Sequence, residues 1–156
     1  MRLSRLADYG VVLLGHMARC EDATQSAHLL AEKTGVPLAT VSRVLFTLGR
    51  AQVVIPVRGP GGGFKLARPA HDISVAEIIS AIDGPIALTQ CIQRGPGACE
   101  VERFCPSRGG LHVINSAIRQ ALESVSLAEL VTLDVAPWTV EAKEMAPSQR
   151  PNGFVE

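Results

Sequence analysis

Pro37-Leu-Ala-Thr-Val-Ser-Arg-Val-Leu-Phe-Thr-Leu-Gly-Arg50, followed after two residues by Val53-Val-Ile-Pro-Val-Arg-Gly-Pro-Gly-Gly-Gly-Phe-Lys-Leu-Ala67, decides the fold. In the first piece Val41, Val44, Leu45 and Leu48 recur at three- and four-residue spacing, the signature of a helix burying one stripe. Pro37 sits where a helix begins and a missing N–H costs nothing, so the helix is predicted over residues 37–51. In the second piece a β-branched run at 53–57 and a short apolar run at 64–67 flank Arg58-Gly-Pro-Gly-Gly-Gly63. That pattern predicts a two-stranded hairpin with a mobile, basic, glycine-rich tip.

Upstream, Leu3, Leu6, Gly10, Leu13, Leu14 and Met17 mark an amphipathic helix over residues 4–19. A further helix is predicted over residues 25–33, with Ala27, Leu30 and Ala31 apolar and Gly35 as a left-handed stop. Two helices joined by a short glycine-containing turn, then a hairpin, make a winged helix-turn-helix. Downstream, Ser74-x-x-Glu77 is a capping box for a helix through Ile78, Ile79 and Ile82 that Gly84-Pro85 ends. No apolar period survives from residue 89 to 110, which reads as an irregular loop. A stripe of Leu111, Ile114, Ile118, Leu122 and Val125 then predicts a long helix with little left in a 156-residue chain to cover it, so burial against a second copy is expected. Ser126-x-x-Glu129 caps one more short helix, and the proline-rich remainder reads as a loose tail. The fold class is therefore mainly α with a small β-hairpin. Its expected units are a DNA-binding domain at 1–84, a cysteine loop at 85–110, a dimerisation helix with the following short helix at 111–131, and a flexible tail at 132–156.

The chain carries 15 basic and 15 acidic residues, but they are not mixed. Residues 1–68 hold nine Lys or Arg against four acids, a net of +5, and the remainder nets −5. A basic first half suits phosphate contact, and the acidic second half must serve another purpose. No stretch approaches the length of a membrane span and the start lacks the plan of a secretory leader, so a cytoplasmic protein is expected. Four cysteines in a reducing compartment are read first as metal ligands or redox thiols. No nucleophile and base pair up convincingly, which argues against an enzyme. The glycine-rich turn lacks the Gly-Lys-Ser/Thr ending of a phosphate loop.

Helix-turn-helix proteins read base edges in the major groove with short polar side chains and arginines near the start of the second helix. Thr40, Ser42 and Arg43 occupy that place here, with Arg43 suited to a bidentate contact with guanine. Thr47 and Arg50 lie further along and suit phosphate. On the wing, Arg58 is expected to enter a minor groove beside Lys65. The alternative is a small fold whose arginines are merely solvated.

Cys91, Cys99 and Cys105 fall within one glycine-rich loop and offer the soft thiolates that iron–sulfur clusters require. Zinc usually shows tighter Cys-x2-Cys knuckles, and a metal-free redox switch joining Cys99 to Cys105 is the other alternative. Cys20, one turn past Met17, is expected to be a packed core thiol.

These residues resemble the Rrf-type family of bacterial winged-helix regulators, which includes IscR-like, NsrR-like and SUF-system members. The likeness spans about residues 1–131. It is carried by the Met-Arg-Leu start, Arg58-Gly-Pro-Gly-Gly-Gly-Phe64, Ile73-Ser-Val-Ala-Glu-Ile-Ile79 and the three-cysteine loop. The resemblance implies a homodimer on double-stranded DNA, repressing iron–sulfur assembly or stress genes, with Cys91, Cys99 and Cys105 as cluster ligands. IscR-like members place a histidine three residues after the last cysteine, where this chain has Arg108. NsrR-like members use an aspartate of the other subunit, which corresponds to Asp8. Three cysteines and one aspartate lean towards a 4Fe–4S rather than a 2Fe–2S cluster.

Overall fold

Ser4 and Ser26 open the first two helices by one device, each hydroxyl accepting the backbone N–H three residues on, from Ala7 and Leu29. The computed structural model describes residues 3–20, 23–95 and 97–132. It contains α1 (Arg5–Ala18), α2 (Ala27–Thr34) and α3 (Leu38–Arg50). Gly35 ends α2 in the left-handed region, φ 71°, as expected. Strands β1 (Val54–Val57) and β2 (Gly63–Leu66) pair antiparallel, Val54 opposite Leu66 and Val57 opposite Gly63. After them come α4 (Val75–Asp83), α5 (Gln90–Arg94), α6 (Arg108–Glu123) and α7 (Leu127–Thr132).

The main core lies between α1, α3 and α4, with Leu13, Leu14, Val41, Val44, Leu45, Leu48 and Ile78 fully buried. Each such side chain contributes about 1.5–3 kcal/mol relative to exposure. The chain returns to this core at its far end. Leu127 of α7 is fully buried in it, its N–H donates to Ile73 O at 2.8 Å, and the Val75 N–H donates to Val125 O at 2.9 Å. Ser4, besides capping α1, donates its hydroxyl to Asp83 at the end of α4, tying the two helix ends together.

Several expectations need correction. Gln25 does not belong to α2: its N–H donates to Phe64 O at 2.9 Å and its carbonyl accepts the Phe64 N–H at 2.8 Å. A strand-like pairing with the wing consumes the backbone that a helix would have used. Residues 89–110 are not wholly irregular, because α5 forms and α6 begins at Arg108 rather than near Leu111. The stripe on α6 is half covered within the chain. Ile118, Leu122 and Val125 pack on Val75, Ala76, Ile79 and Ile86, while Val113 (70 % exposed) and Ile114 (52 %) face outward. Cys20 is exposed, because α1 ends at Ala18 and the chain turns before another helical turn could cover it. The capping box at Ser74 closes one way only, since Glu77 pairs with Arg68 instead of returning to the cap. The one at Ser126 is reciprocal, with Glu129 accepting the Ser126 N–H at 2.7 Å and donating its own N–H to the Ser126 hydroxyl at 3.2 Å. The tail expected at 132–156 lies, past Thr132, outside the described residues. Among the described residues no helix is long and apolar enough to cross a membrane.

Candidate nucleic-acid interface and cysteine loop

Burying Val41, Val44, Leu45 and Leu48 forces the opposite side of α3 outward. Ser42, Arg43 and Arg50 are exposed there, and Thr40 and Thr47 are half-buried at its margin. The Thr47 hydroxyl donates to Arg43 O at 3.0 Å, so its donor is spent inside the helix and only its lone pairs face out. Arg58 follows β1 and Lys65 lies on β2, both exposed. Among the described residues none of Arg43, Arg50, Arg58 and Lys65 is held in an ion pair. Their charge is available to a polyanion. Phe46, also exposed, stands one turn from Ser42 and one turn from Arg50, and sequence reasoning passed over it. The signal was there: an aromatic residue off the buried stripe of a helix otherwise consistent in its pattern.

The wing is fixed to the helices at one point. Besides its two hydrogen bonds to Gln25, it owes its approach to Gly63, where a Cβ would overlap the Gln25 carbonyl and stand 2.6 Å from its carbon and 2.8 Å from Ser26 N. Gly59 and Gly61, φ 116° and 83°, adopt conformations at the tip that other residues avoid. Gln25 itself is buried, and its side-chain amide has no hydrogen-bond partner among the described residues.

The three loop cysteines are free and half-buried. Cys91 lies in α5, its Sγ 3.1 Å from Thr89 Oγ1. Cys99 and Cys105 flank a single 3-10 turn, Glu102–Phe104. The segment leading to Cys91 is pinned to α6 by the buried Asn115, whose Oδ1 accepts the Leu88 N–H at 3.0 Å and whose Nδ2 donates to Ile86 O at 3.1 Å. Asp8 is exposed on the first turn of α1. Thiolate chemistry suits an iron–sulfur cluster. The arrangement within one chain does not: among the described residues no three His, Cys, Asp or Glu side chains gather into a group that could hold a metal ion. Arg108, opposite in charge to a ligand, pairs with Glu102 at 2.9 Å.

Comparison with known proteins agrees with this architecture. The sequence model of the Rrf2 family, described as an iron-dependent transcriptional regulator, matches residues 3–133. The HTH-type transcriptional regulator IscR of Xenorhabdus nematophila is 32% identical over 156 residues, covering 97% of this chain and 94% of that protein. The solved structure of T. potens IscR superposes with a TM-score of 0.64 at 25% identity, covering 84% of this chain and 86% of the other. The oxidised form of Staphylococcus aureus CymR also superposes with a TM-score of 0.64 at 25% identity, covering 85% and 97%.

Proposed function

The chain belongs to the Rrf2 family of transcriptional regulators, and from that membership we propose that its loop thiols govern how tightly a homodimer holds its operator. It is a DNA-binding regulator rather than an enzyme. Reading is assigned to α3, with Arg43 on a guanine, Thr40 and Ser42 on neighbouring base edges, and Thr47 and Arg50 on phosphate. Arg58 and Lys65 of the wing reach the flanking groove and backbone. The outward Val113 and Ile114 of α6 suit burial against the same helix of a second copy. The division into residues 1–84, 85–110, 111–131 and 132–156 assigns DNA reading, sensing, pairing and tail in that order.

The observation that carries the proposal is three free, half-buried cysteines in one loop that runs directly into α6. Metal-free thiol chemistry is the reading these placements favour. In it, Cys99 and Cys105 form a disulfide, losing two protons and two electrons to a peroxide, which leaves as two waters. The new S–S bond spans the Glu102–Phe104 turn and alters the start of α6, and through the dimer the spacing of the two α3 helices. That this fold has been solved in an oxidised form, in CymR, is consistent with such a switch.

A second reading rests on the iron-dependent description of the family and the IscR relative. There, Cys91, Cys99 and Cys105, with Asp8 of the partner subunit, hold an iron–sulfur cluster, 4Fe–4S before 2Fe–2S. The cluster would supply a redox- and iron-sensitive bond between subunits. Assembly around it would first have to draw the three thiols together. One experiment separates the readings. Protein purified without air is assayed for iron, sulfide and visible absorption, and its binding to a duplex selected from a random pool is followed by fluorescence anisotropy before and after peroxide. A colourless protein whose affinity changes with peroxide, and no longer does so in Cys99→Ser, supports the thiol switch. Matching iron and sulfide, lost in Asp8→Ala, supports the cluster. An affinity indifferent to both treatments overturns the proposal.

A further inference from the structure

The cysteine loop inverts the ordinary distribution of side chains. Its acid Glu102 is 8 % exposed, while the apolar Val101 and Phe104 beside it are 63 % and 87 % exposed. A carboxylate withdrawn from water within a surface loop is unfavourable unless its oxygens are matched by donors. Here both are: Oε2 accepts the Gly97 N–H at 2.6 Å and Oε1 pairs with Arg108 Nη2 at 2.9 Å. The main chain of the same residue is equally engaged. Its N–H donates to Cys99 O at 3.1 Å, and its carbonyl accepts the Cys105 N–H at 3.3 Å. Every hydrogen-bonding group of Glu102 is therefore directed at positions 97, 99, 105 or 108, which bracket two of the three thiols.

We infer that Glu102 is the positioning residue of the sensor loop, a buried carboxylate that sets the separation and accessibility of Cys99 and Cys105, with Arg108 as its counter-charge. The inference rests on the reading of this loop as the regulatory element, and deepens it. It also gives Arg108 a task at the position where IscR-like relatives carry a histidine: the guanidinium neutralises the buried acid. Cys91 is outside this arrangement, because its segment is held separately by Asn115.

The test is site-resolved alkylation of the full chain, reduced and freed of metal, by iodoacetamide with mass-spectrometric readout at Cys20, Cys91, Cys99 and Cys105. The exposed Cys20 and the separately held Cys91 are internal references. In Glu102→Ala the two charge-assisted contacts vanish, and alkylation of Cys99 and Cys105 is expected to rise about tenfold relative to the parent, with Cys20 and Cys91 unchanged. Glu102→Gln keeps an acceptor for Gly97 and loses the pairing with Arg108, so it should lie between the two and restore part of the protection. Unchanged rates at Cys99 and Cys105 in both variants would overturn the inference. So would an equal rise at all four thiols in Glu102→Gln, which would make Glu102 a support of the fold at large. Failure of the thiol-switch proposal looks different: a parent protein whose operator affinity ignores oxidant, whatever the alkylation pattern.

Discussion

Replacing Gly63 with alanine adds one methyl group at the point where the wing touches the helices. That carbon would lie against backbone only, 2.6 Å from the Gln25 carbonyl carbon and 2.8 Å from Ser26 N, so no side chain can swing aside to admit it. Either β2 or the residues before α2 must move, and both hydrogen bonds between Gln25 and Phe64, at 2.9 Å and 2.8 Å, are stretched or lost. At about 1 kcal/mol each, the pair implies a loss of about 2 kcal/mol in stability. The core beneath is not touched, so the transition should remain cooperative. In urea, with a slope of about 2 kcal/mol per molar for a domain of this size, the far-ultraviolet midpoint should fall by about 1 M. Operator binding should suffer more than stability, because Arg58 and Lys65 ride on the displaced hairpin. An affinity loss of at least about tenfold, or about 1.4 kcal/mol, is expected by anisotropy at fixed salt. Gly61→Ala serves as comparison: it strains the wing backbone at φ 83° but has no neighbour within 4 Å, and it leaves the Gln25 pairing intact. If Gly63→Ala matches the parent in both midpoint and affinity, the Gln25 pairing is not what holds the wing.

Arg43→Ala should cost about 1–3 kcal/mol at the selected operator and relax the preference at one base pair, as a binding-site selection would reveal; uniform weakening on all sequences would reduce Arg43 to a phosphate contact. Gln52 has a left-handed backbone, φ 58°, that its side chain only partly repays through a 3.2 Å bond to Gly49 O. Gln52→Gly should therefore raise stability by about 0.5–1 kcal/mol in urea melts, and a loss would refute the strain. The Glu129 carboxyl is held below its ordinary value of 4.5, first by the Ser126 N–H and then by the Ser126 hydroxyl. Stability from this group is complete above the ordinary value and disappears as pH falls through the depressed one. Glu129→Gln should thus melt below the parent near about pH 7 and converge with it towards about pH 3, and a constant gap would show the charge to be irrelevant.

Local chemistry made much of this molecule legible before its structure. The stripe of α3, the glycine-rich wing and the serine caps are encoded within a few residues, so periodicity and turn rules reach them. The polar face of α3 followed once the apolar one was assigned. What escaped depends on distant pairings. Gln25 is drawn out of its helix by Phe64, nearly forty residues away along the chain. The lower half of the α6 stripe is covered by α4, which the sequence alone left unpartnered. Glu102 gives no periodic signal because its partners lie in irregular backbone, and α5 is too short to show one. Asp8 could be named from a resemblance, but its partner belongs to another subunit.

The burial of Leu127 carries a consequence for synthesis. A ribosome delivers α1 to α4 first, yet the core those helices share stays open until α7 emerges and fills it. The sensing loop and pairing helix are made before that closure. A nascent chain thus completes its DNA-reading unit only when the parts that regulate it are already present, and a truncated product ending before residue 127 would lack a finished core with which to occupy the operator.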